Sequence, residues 1–220
     1  MDWLALGLSL RLATLTVLIL VPIGILVGRW LAWREFRGKA AVEALLALPL
    51  VLPPTVLGFY LLSVMGGSSL PGRAYAALFG RSLTFSFEGL LLASLVFNLP
   101  FAIQPMQRAF EAIPSAVREA ALCCGMSPTR RLWRIDLALA WPGIVSGIVL
   151  TFAHTLGEFG AVLMVGGNIP GETRTLAIAI YDRVQAFDTR GAAVMSGALL
   201  AVSLVAIAGS YLSVKPRAAR

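Results

Sequence analysis

Chemistry in this chain has few residues to work with. His154 and Glu158 stand four residues apart inside a long apolar run, so a helix would put both on one face. A His–carboxylate pair could supply two ligands to a metal or the start of a catalytic cluster. A catalytic zinc usually takes three protein ligands, and no third ligand lies at a plausible spacing from this single His. Cys123 and Cys124 are adjacent, a spacing that does not easily meet disulfide geometry. They read as small apolar residues of a helix. The phosphate-binding pattern G-x4-G-K-[ST] is absent. The sequence therefore predicts no catalytic residue and no metal site.

The elements that must position this pair are apolar on a scale that decides the class. Of 220 residues, 58% are hydrophobic and 13% charged. Disorder needs the reverse, and a soluble domain of this size has too little interior for so much apolar surface. Charges divide the chain into long uncharged runs, the five longest at 12–28, 44–72, 89–107, 137–157 and 191–214. A helix needs about 20 residues to cross a bilayer. The runs are continuous rather than alternating, which disfavours a barrel. The expectation is an all-α polytopic bundle in one domain over 1–220. Its five spans lie near 10–28, 43–64, 88–107, 142–164 and 193–213, the first a retained anchor.

Lys and Arg then orient the spans. Twelve of the eighteen fall in 29–39, 108–141 and the tail with Lys215, Arg217 and Arg220. The positive-inside rule puts those segments in the cytoplasm, with the N-terminus outside and the C-terminus inside. Pro49, Pro53 and Pro54, three prolines in six positions, break or kink the second span. A broken helix at membrane depth lines a cavity, so this span is placed at the pore. The outer loop 165–192 carries an amphipathic stripe of Leu176, Ile180, Val184 and Phe187. It reads as a short helix, either closing an outer mouth or packed on the membrane surface.

The 108–141 loop is much longer than a connection requires. Ile113, Ala116, Ala120, Cys123 and Cys124 recur at helical spacing. Pro114 suits a first turn, Gly125 a stop, and Ser127 the cap of a second helix over Pro128–Trp133. Either the helix lies on lipid or it faces a partner.

The sequence Glu119-Ala120-Ala121, three residues, Gly125, nine residues, Ile135-Asp136-Leu137 resembles the EAA loop of ABC importer permeases. Ala138 stands where that family usually has Pro. Thr155-Leu156-Gly157-Glu158-Phe159-Gly160-Ala161 is similar to the segment shared by sulfate, tungstate and molybdate permeases. Residues 168–175 and 48–58 resemble the molybdate branch. The resemblance implies a type I importer permease in a bacterial or archaeal cell membrane, the inner one if Gram-negative. It implies a homodimer, two cytoplasmic ATPase subunits and an extracytoplasmic substrate-binding protein. This chain would bind no cofactor, ATP and Mg belonging to the ATPase.

The resemblance also assigns roles. Glu119, Ala120, Ala121, Gly125, Arg130 and Arg131 would face the ATPase. A tetrahedral oxyanion is held by neutral donors or Arg. Pathway or gate candidates are Pro53, Pro54, Thr55, Asn98, Thr151 and Thr155, with Glu158 as a gate element and Arg174 at the outer mouth. A charged Glu158 at 8 Å from a dianion would oppose it by roughly 4 kcal/mol at an effective dielectric of about 20. A structural Glu158, bonded to His154, to backbone or to a neighbouring helix, is therefore preferred. The rival readings are a secondary transporter or channel for a small anion, and a membrane-embedded enzyme.

Overall fold

The computed structural model describes residues 1–213 and contains helices only, among the described residues. Lys215, Arg217 and Arg220 lie outside them. In chain order the helices are α1 Trp3–Trp33, α2 Lys39–Val51, α3 Pro54–Met65, α4 Leu70–Phe79, α5 Phe87–Glu111 and α6 Ser115–Cys123. Then come α7 Pro128–Arg131, a π turn Leu132–Asp136, α8 Leu137–Gly157, α9 Gly160–Gly166, α10 Leu176–Gln185 and α11 Thr189–Ser213. Four helical stretches among the described residues are long and apolar enough to cross a membrane, or five if the bent pair α2–α3 counts as one.

α5 is the axis of the bundle, with α1 and α8 against it. Lipid offers no hydrophobic drive between apolar helices, so close backbone approach must supply the attraction. Two small-residue pairs at i, i+4 provide it. Gly24 and Gly28 of α1 meet Ala102, Ile103, Met106 and Gln107 of α5. Gly143 and Gly147 of α8 meet the same stretch at Ala102, Pro105, Met106 and Ala109. A Cβ on Gly28 would lie 2.9 Å from the Gln107 backbone nitrogen, so the helices would have to part. Gly28→Val is expected to destabilise the protein by about 1–3 kcal/mol. Gly7, on the same helix, has nothing within 4 Å of its Cβ position among the described residues, and Gly7→Val should change little. Thermal unfolding of both variants in one detergent checks the contrast.

One end of this packing is closed by Met106, Phe110, Ile113, Ala140 and Ile144, with the Trp33 indole N–H donating to the Phe110 carbonyl at 3.1 Å. The far end is closed by Leu8, Leu12, Leu90, Val162 and Ile178. Within α10 the buried residues are Leu176, Ile178 and Ala179. The expected stripe therefore fails at its C-terminal end: Val184 and Phe187 are exposed. Phe187 has a φ of 57° beyond the helix end, so helical spacing no longer places it.

Candidate functional site: a presented helix and two apposed helix breaks

The 108–141 segment folds as its punctuation suggests. Pro114 is the extended N-cap of α6, Gly125 takes a φ of 65° after it, and the Ser127 hydroxyl accepts from the Arg130 N–H to start α7. The rotation of α6 differs from the expected stripe. Ala121 is its only buried residue, while Ala116, Ala120, Cys123 and Cys124 are exposed. The reason is Arg118, whose guanidinium stands 4.0 Å from the Trp33 ring centroid. Three residues apart, Arg118 and Ala121 share the face turned to the bundle. Glu119 and Ala120 therefore point outward and are exposed among the described residues. Gly125 and Arg130 are exposed beside them, and Arg131 is half-buried.

Beneath this helix lies a charge cluster that sequence reasoning did not select. Asp136 is fully buried. Its Oδ2 accepts from Arg29 Nη2 at 2.9 Å and Arg29 Nε at 3.1 Å, with Arg131 Nε at 3.9 Å. The π turn re-aims the helix just where Asp136 must turn inward, and such turns recur where a helix carries a special residue. The signal was present: an Arg closing one apolar run and an Asp opening another.

At the other end of α8 two helix breaks meet. α2 and α3 are bent by 110° across Leu52–Pro53. The expected fourth span 142–164 is itself interrupted: α8 stops at Gly157 and α9 starts at Gly160. Glu158 has an extended ψ of 125°, and its Oε1 accepts from the Ala161 N–H at 3.4 Å. Its Oε2 lies 3.6 Å from His154 Nε2. The carboxylate thus takes one of the backbone donors that a helix start leaves unpaired. A Cβ on Gly160 would sit 3.4 Å from Pro54 Cβ, so the two breaks touch. Gly58 of α3 packs against Ala161 and Met164 of α9.

A polar chain leads into this junction. Thr16 and Ser94 share a hydroxyl hydrogen bond of 2.9 Å. Asn98 Nδ2 donates to the Ser94 carbonyl at 2.8 Å, which leaves its Oδ1 to accept from His154 Nδ1 at 3.1 Å. The His154 ring stacks on Phe101, with centroids 4.0 Å apart. Glu158 is therefore bonded to backbone, with His154 beside it. Glu158→Gln keeps an oxygen for Ala161 and should keep the break. Glu158→Ala should lower stability by about 1 kcal/mol, the usual effect of losing a cap. Unfolding midpoints of the two variants compare them; equal losses would remove the capping role.

The remaining candidates are dispersed. Pro53, Pro54 and Thr55 are exposed at the start of α3. Thr151 and Thr155 are buried in α8, the Thr155 hydroxyl donating to the Thr151 carbonyl at 2.8 Å. The Thr151 hydroxyl has no hydrogen-bond partner among the described residues. Arg174 is not at the junction; it binds Asp182 and, at 2.7 Å, the Asn168 side-chain oxygen. Among the described residues no three His, Cys, Asp or Glu side chains could hold a metal.

The family model described as binding-protein-dependent transport system inner membrane component matches residues 21–220. This chain belongs to that family. Within it, the molybdenum transport system permease protein of Azotobacter vinelandii is 43% identical over 212 residues, covering 96% of this chain and 94% of the relative. The probable sulfate transport system permease protein of Prototheca wickerhamii is 30% identical, covering 92% and 79%. The fold is shared with a bacterial alginate ABC transporter crystallised with an alginate pentasaccharide-bound periplasmic protein, at a TM-score of 0.70 and 16% identity. That match covers 94% of this chain and 76% of the transporter chain. The family is a membrane component of a transport system, which takes the place of the enzyme and channel readings. The chain is accordingly a multi-pass membrane permease.

Proposed function

We propose that this permease imports molybdate, driven by ATP hydrolysis on a separate cytoplasmic subunit. The observation that carries the reading is the 43% identity, over nearly the whole chain, to a molybdenum permease. The outward-facing α6 with its EAA pattern supports the coupling half. A dimer of the permease would stand on two ATPase subunits, α6 being the contact of each. ATP and Mg are held there and not on this chain. A substrate-binding protein delivers the oxyanion at the opposite face, as the likeness to the alginate assembly supports. The N-terminus is outside and the C-terminus cytoplasmic, in a bacterial or archaeal cell membrane, the inner one if the cell is Gram-negative.

Closure of the ATPase moves α6. Arg118 on Trp33 and Asp136 on Arg29 tie that end to α1, while α7, the π turn and α8 run continuously to Gly157. The motion is delivered to the junction of α8 with α9 and, through Pro54 and Gly58, to α3. The N-terminal end of α3 has the dipole sign that favours an anion, and Glu158 occupies the matching end of α9. Thr55 at this end, with Thr151 and Thr155 along α8, offers neutral hydroxyls to the ion. A ligand moves such a device only through unequal contacts with its two states.

Reconstituted vesicles test this. Molybdate uptake should require the ATPase and ATP, and tungstate or sulfate should compete less well. Uptake without the ATPase would overturn the coupling; preference for sulfate would overturn the substrate.

A further inference from the structure

Four arginines surround one pocket where the end of α1 meets α6 and α7. Arg29, Arg34, Arg118 and Arg131 line a space of about 320 Å³. Only one of their charges is well answered: Arg29 is bonded to Asp136, with Arg131 at the edge of its reach. Arg34 and Arg118 have no carboxylate partner among the described residues. The Arg118 Nε is buried without an acceptor among the described residues. A buried donor on a charged group calls for an acceptor, and guanidiniums match phosphate bidentately.

The rest of the lining is apolar and faces outward. Leu26 is 65% exposed and Trp30, one turn on, 44% exposed, both walls of the pocket. Trp133 and Trp141 are exposed at the same end of the bundle, so four of the five tryptophans gather there. Tryptophans collect at headgroup level. The pocket therefore has an anion-binding floor and a hydrocarbon-facing wall. A small free oxyanion would use the floor and leave the wall bare. An ATPase docked on the outward face of α6 would meet Glu119 and Ala120, whereas Arg118 turns the other way.

We propose that this pocket binds the phosphate of an anionic phospholipid from the adjacent leaflet, with acyl chains along Leu26 and Trp30. The site is separate from the transport path and does not depend on the identity of the substrate.

The test uses the full-length permease purified with its ATPase subunits, in nanodiscs of mixed phosphatidylglycerol and phosphatidylcholine, with retained lipid read by native mass spectrometry. Phosphatidylglycerol should be retained preferentially. Arg34→Ala should lower that preference about fivefold, and Arg34→Ala with Arg118→Ala about 25-fold, at about fivefold per basic residue. Lys at both positions should keep most of it, and Arg73→Ala, on α4, should leave it unchanged. Arg34 is exposed, so its single variant keeps the test open if the double variant fails to fold. Equal retention of the two lipids, or an unchanged preference in the variants, would overturn the proposal. So would displacement of the lipid by inorganic phosphate alone, which marks a free-oxyanion site. Loss of the ATPase from the double variant with lipid preference intact would assign the arginines to protein docking instead.

Discussion

Arg29→Met is expected to destabilise the protein by about 3–5 kcal/mol, the range for stranding one member of a buried ion pair. The stranded group is Asp136, whose side chain is fully buried while that of Arg29 remains 27% exposed. Its one other ion-pair partner among the described residues, Arg131, stands 3.9 Å away. Removing the carboxylate instead is milder. Asp136→Leu leaves a guanidinium that already touches water and stands 4.6 Å from the Trp33 ring centroid, so a loss of about 1–3 kcal/mol is expected. The double variant Arg29→Met, Asp136→Leu removes both charges and should recover much of the single-variant loss. Unfolding of the four proteins in one detergent gives the coupling energy. Additive losses, or an Asp136 variant worse than the Arg29 variant, would show that no buried charge is stranded. Functionally the pair clamps α1 to the start of α8. Its loss should therefore also weaken the link between α6 and the junction at Gly157.

How much of this was legible follows from the physics of each element. Long uncharged runs are read directly, because a bilayer imposes its thickness on a single helix. The three-proline cluster announced the bend of the second span, since proline acts on its own backbone and on the residue before it. The break after Gly157 was not announced. The stretch between Asp136 and Glu158 holds no Asp, Glu, Lys or Arg, and only the capping of Ala161 by Glu158 converts a charge inside a span into a helix start. The presence of α6 was readable from Pro114, Gly125 and Ser127, but its rotation was not. Spacing places Ala120 and Cys123 on a stripe, whereas a single long-range contact, Arg118 on Trp33, decides which face turns in. The glycine pairs 24/28 and 143/147 were visible as spacing, yet which helix they embrace is tertiary information. The same holds for Arg29 and Asp136, 107 residues apart. Of the candidate pathway residues, Pro54 and Glu158 converge on one junction because both sit at helix starts. Arg174 does not, because Asp182 and Asn168 hold it in the 165–192 segment.

That convergence sets up the largest expected functional effect. Replacing Pro53 and Pro54 together by Ala should reduce molybdate uptake to background while the permease still assembles with its ATPase. Each proline forces the residue before it out of the helical region. Leu52 accordingly has a ψ of 137° and Pro53 a ψ of 135°. Helix interiors disfavour proline by about 3 kcal/mol relative to Ala, so the double replacement removes the local reason for the 110° bend. A continuous helix from Lys39 to Met65 would run about 40 Å at 1.5 Å per residue. It would draw Gly58 away from Ala161 and Met164, and residue 54 away from Gly160. The junction that receives motion from α8 would then lose its partner, and ATP hydrolysis should continue without transport. Single replacements should be nearly silent. With Pro54 retained, residue 53 is still forced extended; with Pro53 retained, Leu52 is. The expected pattern is two active single variants and one inactive double variant, read as uptake and ATPase rate in the same vesicles. A double variant that transports normally would remove the bend from the mechanism. Single variants as inactive as the double would mean that the prolines act through their own contacts, not through the break they impose.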